Sequence, residues 1–183
     1  MIFNLDLSLK DEYLENYSGE KSIELVEEKN GSSFLIERIN TEELVAIKNI
    51  EDLKHQYLKS GEGCVNPKDC DYILIDSEKN RLYFIDLKYG TAGSIQSINE
   101  QLNAGEKWLE HFLFCANVPK IDWESFDCFR VCFRKVRDAR VSKRRSFHLR
   151  KASSGDFYYE FVGSKINYAQ LAPFFLNDIE SKF

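Results

Sequence analysis

The stretch CDYILIDSEKNRLYFIDLKYG, Cys70 to Gly90, constrains the fold of this chain more than any other. Two apolar arms joined by the polar turn SEKN read as a β-hairpin. Alternation puts Asp71, Ile73 and Ile75 on one face of the first arm, against Tyr72, Leu74 and Asp76. In the second arm Phe84, Asp86 and Lys88 share a face, and Tyr83, Ile85 and Leu87 take the other. Strand interiors usually exclude Asp and Lys, so their presence here signals either a local need for charge or ordinary turn chemistry.

The segments downstream of the hairpin narrow the fold class. SIQSINEQLNAGEKWLEHFLF places Ile95, Ile98, Leu102, Leu109, Phe112 and Leu113 at helical spacing, with Ser94 as its cap. Gly105 in the interior weakens that helix by about 1 kcal/mol unless something packs closely against it. FDCFRVCFRKV, Phe126 to Val136, then alternates as a strand with Phe129, Val131 and Phe133 on one side. The hairpin, helix and strand together predict an α/β architecture, a small mixed sheet covered by helices.

Upstream, Asn30-Gly31 between β-prone segments predicts a tight hairpin. From Asn40, a capping box with Glu43 and the apolar positions Ile47, Ile50, Leu53, Tyr57 and Leu58 predict an amphipathic helix ending at Gly61 or Gly63. Towards the C-terminus, a second hairpin turns at Ser153-Ser154-Gly155, and a short helix interrupted by Pro173 closes the chain. The expected organisation is one domain over 1–183, with a hairpin region at 1–39 and a core at 41–136. The remaining 137–183 hold a basic segment, a hairpin and a helix.

Composition excludes several functions. With 43% hydrophobic residues in 183 the chain can bury a sizeable core, but no apolar run nears the ~18 to 20 residues of a membrane span. Asp6, Asp11, Glu12 and Glu15 argue against a signal peptide, so a soluble, cytoplasmic protein without a membrane partner is expected. Five cysteines without CxxC spacing suggest buried thiols rather than a disulfide framework or zinc ribbon. His55, His111 and His148 are scattered, and no phosphate-binding glycine motif occurs.

Charge is uneven. From Arg134 to Lys151, nine basic residues against the single acid Asp138 make a local +8, so a chain of net −5 carries −13 elsewhere. Arg134, Lys135, Arg137, Arg140, Lys143, Arg144 and Arg145 are therefore candidates for a localised polyanion contact, the alternative being a solvated face.

Asp71, Asp86 and Lys88 converge if the two arms lie side by side. Paired carboxylates repel unless a cation lies between them, and hard oxygen ligands suit Mg²⁺ at ~2.0–2.1 Å. The Leu87 backbone carbonyl is a further candidate ligand. A lysine on the same face can position a water or meet charge on a phosphate, as metal-assisted hydrolysis of a phosphodiester requires. Against this stand an Asp71 that satisfies backbone N–H groups at a strand start and an Asp86–Lys88 surface ion pair of little energetic value.

Asp71, fourteen intervening residues, then Asp86-Leu87-Lys88 ahead of a helix resembles the PD-(D/E)xK nuclease superfamily, the restriction-endonuclease-like fold with its αβββαβ core. The likeness covers roughly Thr41 to Val136, with two strands legible before the second helix and Cys70 in place of the motif's proline. It implies a Mg²⁺- or Mn²⁺-dependent hydrolase cutting nucleic acid, DNA more often than RNA, in restriction, repair, recombination or anti-phage defence. Gln101 matches the glutamine often found on the helix after the motif, although Gly105 replaces the tyrosine of the QxxxY variant. A glutamate on the first core helix, with Glu42, Glu43 and Glu51 as candidates, would join the metal. Two rival readings remain. One is an inactive nuclease-fold adaptor of a larger assembly, as a homodimer or beside an ATPase subunit. The other is a small-molecule or peptide binder lined by Phe157, Tyr158, Tyr159 and Phe161.

Overall fold

The computed structural model describes residues 5, 8–27, 32–55, 68–90, 93–119, 123–136 and 146–171. The fold is α/β, with ten strands and three α-helices among the described residues. The strands are β1 (Leu14–Asn16), β2 (Ser22–Glu27), β3 (Ser32–Glu37), β4 (Leu44–Lys48), β5 (Tyr72–Asp76), β6 (Arg81–Tyr89), β7 (Asp127–Lys135), β8 (Ser146–Lys151), β9 (Phe157–Val162) and β10 (Lys165–Asn167). The helices are α1 (Ile50–His55), α2 (Ile95–Cys115) and α3 (Tyr168–Leu171). No helix among the described residues is long and apolar enough to cross a membrane.

Seven strands form one mixed sheet in the order β1-β4-β5-β6-β7-β9-β8. β4, β5 and β6 are an antiparallel meander. From β6 the chain crosses through α2 and returns as β7, parallel to β6, and β9 extends the parallel run. β8 pairs antiparallel with β9, as the Ser153-Ser154-Gly155 turn predicts. A second sheet, β10-β3-β2, contains the predicted N-terminal hairpin.

Each face of the large sheet has its own core. Leu74, Tyr83, Ile85, Leu87, Phe129, Val131, Phe133, Tyr159 and Phe161 pack with Leu25, Phe34 and Ile36 of the small sheet. Ile73, Ile75, Phe84, Cys132 and Tyr158 pack with Ile98, Leu102, Leu109 and Leu113 of α2. Tyr158, Tyr159 and Phe161 are thus core side chains rather than a pocket lining, because alternation in β9 sends them into two opposed cores.

Two expectations are overturned. Among the described residues, helices alone do not cover the sheet: α2 packs on one face, and the small sheet β10-β3-β2 buries Leu25, Phe34 and Ile36 against the other. The second concerns the first core helix. Leu44–Lys48 is a strand, and helix among the described residues begins only at Ile50, as α1; Tyr57, Leu58, Gly61 and Gly63 of the expected helix lie outside the described residues. Leu44, Val45, Ala46 and Ile47 are all buried. Leu44 and Ala46 face one core and Val45 and Ile47 the other, a demand that a central strand meets and a one-sided helix does not. Asn49, at φ 54°, ends the strand, and its carbonyl accepts the Asp52 and Leu53 amides that start α1. The core order is therefore strand, helix, strand, strand, helix, strand.

α2 begins as predicted, with Ser94 Oγ accepting the Ser97 amide at 3.1 Å. Gly105 is explained by proximity: a Cβ there would lie 2.2 Å from Cys70 Sγ and 3.5 Å from Phe84. The glycine lets α2 approach the β5–β6 hairpin.

Candidate functional site

Backbone pairing brings Asp71 to Asp86. Tyr72 pairs with Ile85, and just ahead of β5 the Asp71 amide donates to the Ile85 carbonyl at 2.9 Å. One Asp71 carboxylate oxygen accepts the Leu87 amide at 2.6 Å. Asp71 therefore does bond backbone at a strand start, and in doing so stands beside Asp86. Lys88 Nζ donates to Asp86 Oδ1 at 2.7 Å, as the shared face of residues 86 and 88 requires. The Leu87 side chain points into the opposite core.

The site is carboxylate-rich, with Asp86 at its buried end and Asp71 and Lys88 partly exposed. Asp86 is 1% exposed. Burial, then the neighbouring Asp71 carboxylate, push its pKa up to about 7 against the pull of Lys88. Burial likewise raises Asp71, opposed by the Leu87 amide and Lys88. For Lys88, burial alone would lower the pKa, but Asp86 and Asp71 together carry it above its ordinary value. With both acids ionised, Asp86 Oδ2 is buried and has no hydrogen-bond partner among the described residues. When Asp86 is protonated it donates to Asp71. A proton or a cation is what this oxygen lacks.

A second buried aspartate on the same hairpin supplies the contrast. Asp76 is fully buried, and it accepts from the Thr41 hydroxyl at 2.8 Å, the Lys79 amide at 3.0 Å and the Tyr168 hydroxyl. It is satisfied by the fold, whereas Asp86 is not.

Gln101 is buried on α2, and its Oε1 has no hydrogen-bond partner among the described residues. Gly105 lies against Phe84. One helical turn back from Gly105, about 5.4 Å, is Gln101, and two strand residues on from Phe84, about 6.6 Å, is Asp86. Gln101 thus lies at the level of Asp86, on the helix that covers that face.

Glu43 and Glu51 separate as candidate ligands. Glu43 sits beside the far end of β5, its carbonyl accepting the Ser77 amide at 3.0 Å. Ser77 is six residues from Asp71, about 20 Å along the strand, so Glu43 is no ligand here; the strand at 44–48 carries it away. Glu51, on α1, lines with Asp71 a cavity of about 230 Å³ that also includes Glu27, Asp52 and Asp69. Among the described residues no three His, Cys, Asp or Glu side chains are grouped about one metal-binding point. The donors already together are the carboxylate pair. They fit a small hard cation through the unpartnered Asp86 oxygen.

Of the basic segment, Arg137, Arg140, Lys143, Arg144 and Arg145 lie outside the described residues. Arg134 stands in register with Lys88, and Lys135 follows it at the end of β7. Arg134 Nε is 2.7 Å from Glu160 Oε1, an ion-pair contact without the alignment of a hydrogen bond. Sequence reasoning singles out neither Glu160 nor Asp69, whose buried carboxylate meets Lys54 of α1 at 2.6 Å. Both carry the signal that marks Asp86, an acid in or beside an apolar strand.

No family model matches the chain, and no curated protein or solved structure matches it.

Proposed function

We propose that this chain is a metal-dependent phosphodiesterase acting on nucleic acid, a nuclease whose core is restriction-endonuclease-like. The observation that carries the reading is the Asp71–Asp86 pair, adjacent to Lys88, with Asp86 buried and short of one donor at Oδ2. The sheet pairing supports it: β4, β5 and β6 are antiparallel neighbours, α2 follows, and β7 returns parallel to β6, although α1 stands between β4 and β5 rather than ahead of the three strands. The first of those strands is the segment expected to be helical.

Asp71 and Asp86 would hold Mg²⁺ or Mn²⁺, with the Leu87 carbonyl and Glu51 as further ligands. The ion would polarise the phosphodiester and lower the pKa of a bound water. Lys88, kept protonated by the two acids, orients the attacking water or meets negative charge on the phosphate. Gln101 contributes an amide from above the sheet, and the apolar surroundings of Asp86 exclude bulk water. DNA is the proposed substrate, and restriction, repair or anti-phage defence the proposed setting.

The test is digestion of plasmid and labelled oligonucleotides with Mg²⁺ or Mn²⁺. Cleavage that is lost in Asp86→Ala and in Lys88→Ala supports the assignment; cleavage that survives the double substitution ends it.

One observation favours a second reading, an inactive nuclease-fold adaptor beside an ATPase subunit or as a homodimer. Lys88 is already bonded to an Asp86 that is almost fully buried. An adaptor should bind neither Mg²⁺ nor Mn²⁺ in a calorimetric titration.

A further inference from the structure

We propose that Glu160 holds Arg134 and Arg150 as a phosphate clamp beside the carboxylate pair, gripping a nucleic-acid backbone that crosses β6, β7, β9 and β8. This rests on the nuclease reading for its substrate and on separate residues for its geometry.

Glu160 lies in the apolar strand FYYEFV with its side chain 2% exposed. A buried carboxylate costs several kcal/mol unless paired, and an apolar side chain of similar volume often stabilises a core as well or better. Glu160 is paired twice, from the strands on either side. Arg150 of β8 donates through Nε at 2.9 Å and through Nη2 to Oε2, while Arg134 of β7 meets Oε1. Five N–H donors on each guanidinium exceed what a single shared carboxylate accepts. Two cations against one anion also leave a positive charge over. Both arginine side chains reach solvent, at 22% and 37% exposure.

The register places this assembly next to the candidate site. Asp86 pairs with Cys132 and Cys132 with Glu160, so the carboxylates of 86 and 160 lie in one row across β6, β7 and β9. Lys88 pairs with Arg134 on the next strand, about 4.8 Å away. Arg150 lies three strand spacings from β6, about 14 Å across the sheet, and four residues, about 13 Å, along it from the Lys88–Arg134 row. Side chains at these positions share the α2 face, as the burial of Phe84, Cys132 and Tyr158 in that core requires. Lys88 and Arg134 share one row, level with Val162, whereas Arg150 pairs with Tyr158. The two arginines therefore reach Glu160 from opposite diagonals on the same face, with Lys88 beside Arg134 at the acids. Paired guanidiniums fixed at a carboxylate are pre-organised for the planar, two-point recognition of phosphate.

The test is fluorescence anisotropy with a labelled oligonucleotide, single-stranded and duplex, in EDTA so that nothing is cleaved. Arg134→Lys preserves charge and removes the fork; binding is expected to weaken about tenfold. Glu160→Gln adds a positive charge, so charge alone predicts tighter binding; the clamp predicts about tenfold weaker binding and a shallower salt dependence. Should Glu160→Gln fail to fold by circular dichroism, Arg134→Lys with Arg150→Lys decides, since it keeps both charges. Unchanged or tighter binding in folded variants overturns the proposal, as does an unbound wild-type protein. Thermal shift with Mn²⁺ separates the two readings. Absence of a shift in the wild type removes the metal site and leaves the clamp to the anisotropy; a shift retained in Arg134→Lys that binds DNA normally removes the clamp alone.

Discussion

Asp71 holds the backbone on both sides of Asp86, its amide on the Ile85 carbonyl and its carboxylate on the Leu87 amide. The separation of the two acids is thus set by strand pairing rather than by flexible side chains. A one-residue slip of β5 against β6 would take Asp71 off the Ile85 carbonyl and the Leu87 amide and dissolve the arrangement.

That fixed proximity makes stability depend on pH. The native protein keeps a proton on Asp86 up to about pH 7, whereas the unfolded chain releases it near 3.8. Between those values the native state binds more protons, so stability falls as pH rises from about 4 through about 7. The fall should reach a few kcal/mol, about 1.4 per pH unit of separation at most. In metal-free melts Asp86→Asn is expected to flatten this dependence and to be more stable than the wild type at pH 8. Parallel stability profiles for the two proteins would rule out a buried acid at 86.

Metal should reverse the same penalty. Mg²⁺ or Mn²⁺ at a hundred times its dissociation constant adds about 2.7 kcal/mol to a protein that binds it only when folded. The melting temperature of the wild type at pH 8 is expected to rise with added metal, and less at pH 6, where the ion displaces a proton. Asp71→Asn and Asp86→Asn should lose the shift and Glu43→Gln should keep it. A shift that persists in both aspartate variants places the ion elsewhere.

Parity in the hairpin is readable from alternation alone, and with it the faces of Asp86 and Lys88. The strand at 44–48 is not, because Ile47, Ile50 and Leu53 fit a helical stripe as well as they fit the end of one strand and the start of a helix. Tertiary burial on two faces decides it. An acid in an apolar strand is a fair signal but an ambiguous one, since Asp76, Asp86 and Glu160 all carry it. Only their partners separate them: Thr41, Lys79 and Tyr168 for the first, Lys88 and Asp71 for the second, two arginines for the third. Most of those partners come from distant parts of the chain, which no local pattern contains.

Gly105 offers a stability test of how α2 is docked. Alanine is favoured over glycine in a helix by about 1 kcal/mol. The new Cβ would meet Cys70 Sγ at 2.2 Å, and overpacking of this kind typically costs about 1–3 kcal/mol. Gly105→Ala should therefore destabilise in urea unfolding despite its better propensity. Cys70→Ala in the same chain should recover part of the loss, a favourable coupling between the two sites. Additive effects would mean that the close approach at Gly105 is not what limits the helix.

The Lys54–Asp69 pair ties α1, and with it Glu51, to the segment that carries Asp71. Both side chains are nearly inaccessible, at 2% and 1% exposure, and Asp69 Oδ1 has no hydrogen-bond partner among the described residues. Lys54→Met leaves an uncompensated buried carboxylate and should cost about 3–5 kcal/mol in urea unfolding. Lys54→Met with Asp69→Leu removes both charges and should restore most of that stability. If the pair serves only to seat α1, the doubly apolar protein keeps its Mn²⁺ thermal shift. A restored stability with the shift abolished would instead make Asp69 part of the metal-binding group, through the cavity it shares with Glu51 and Asp71.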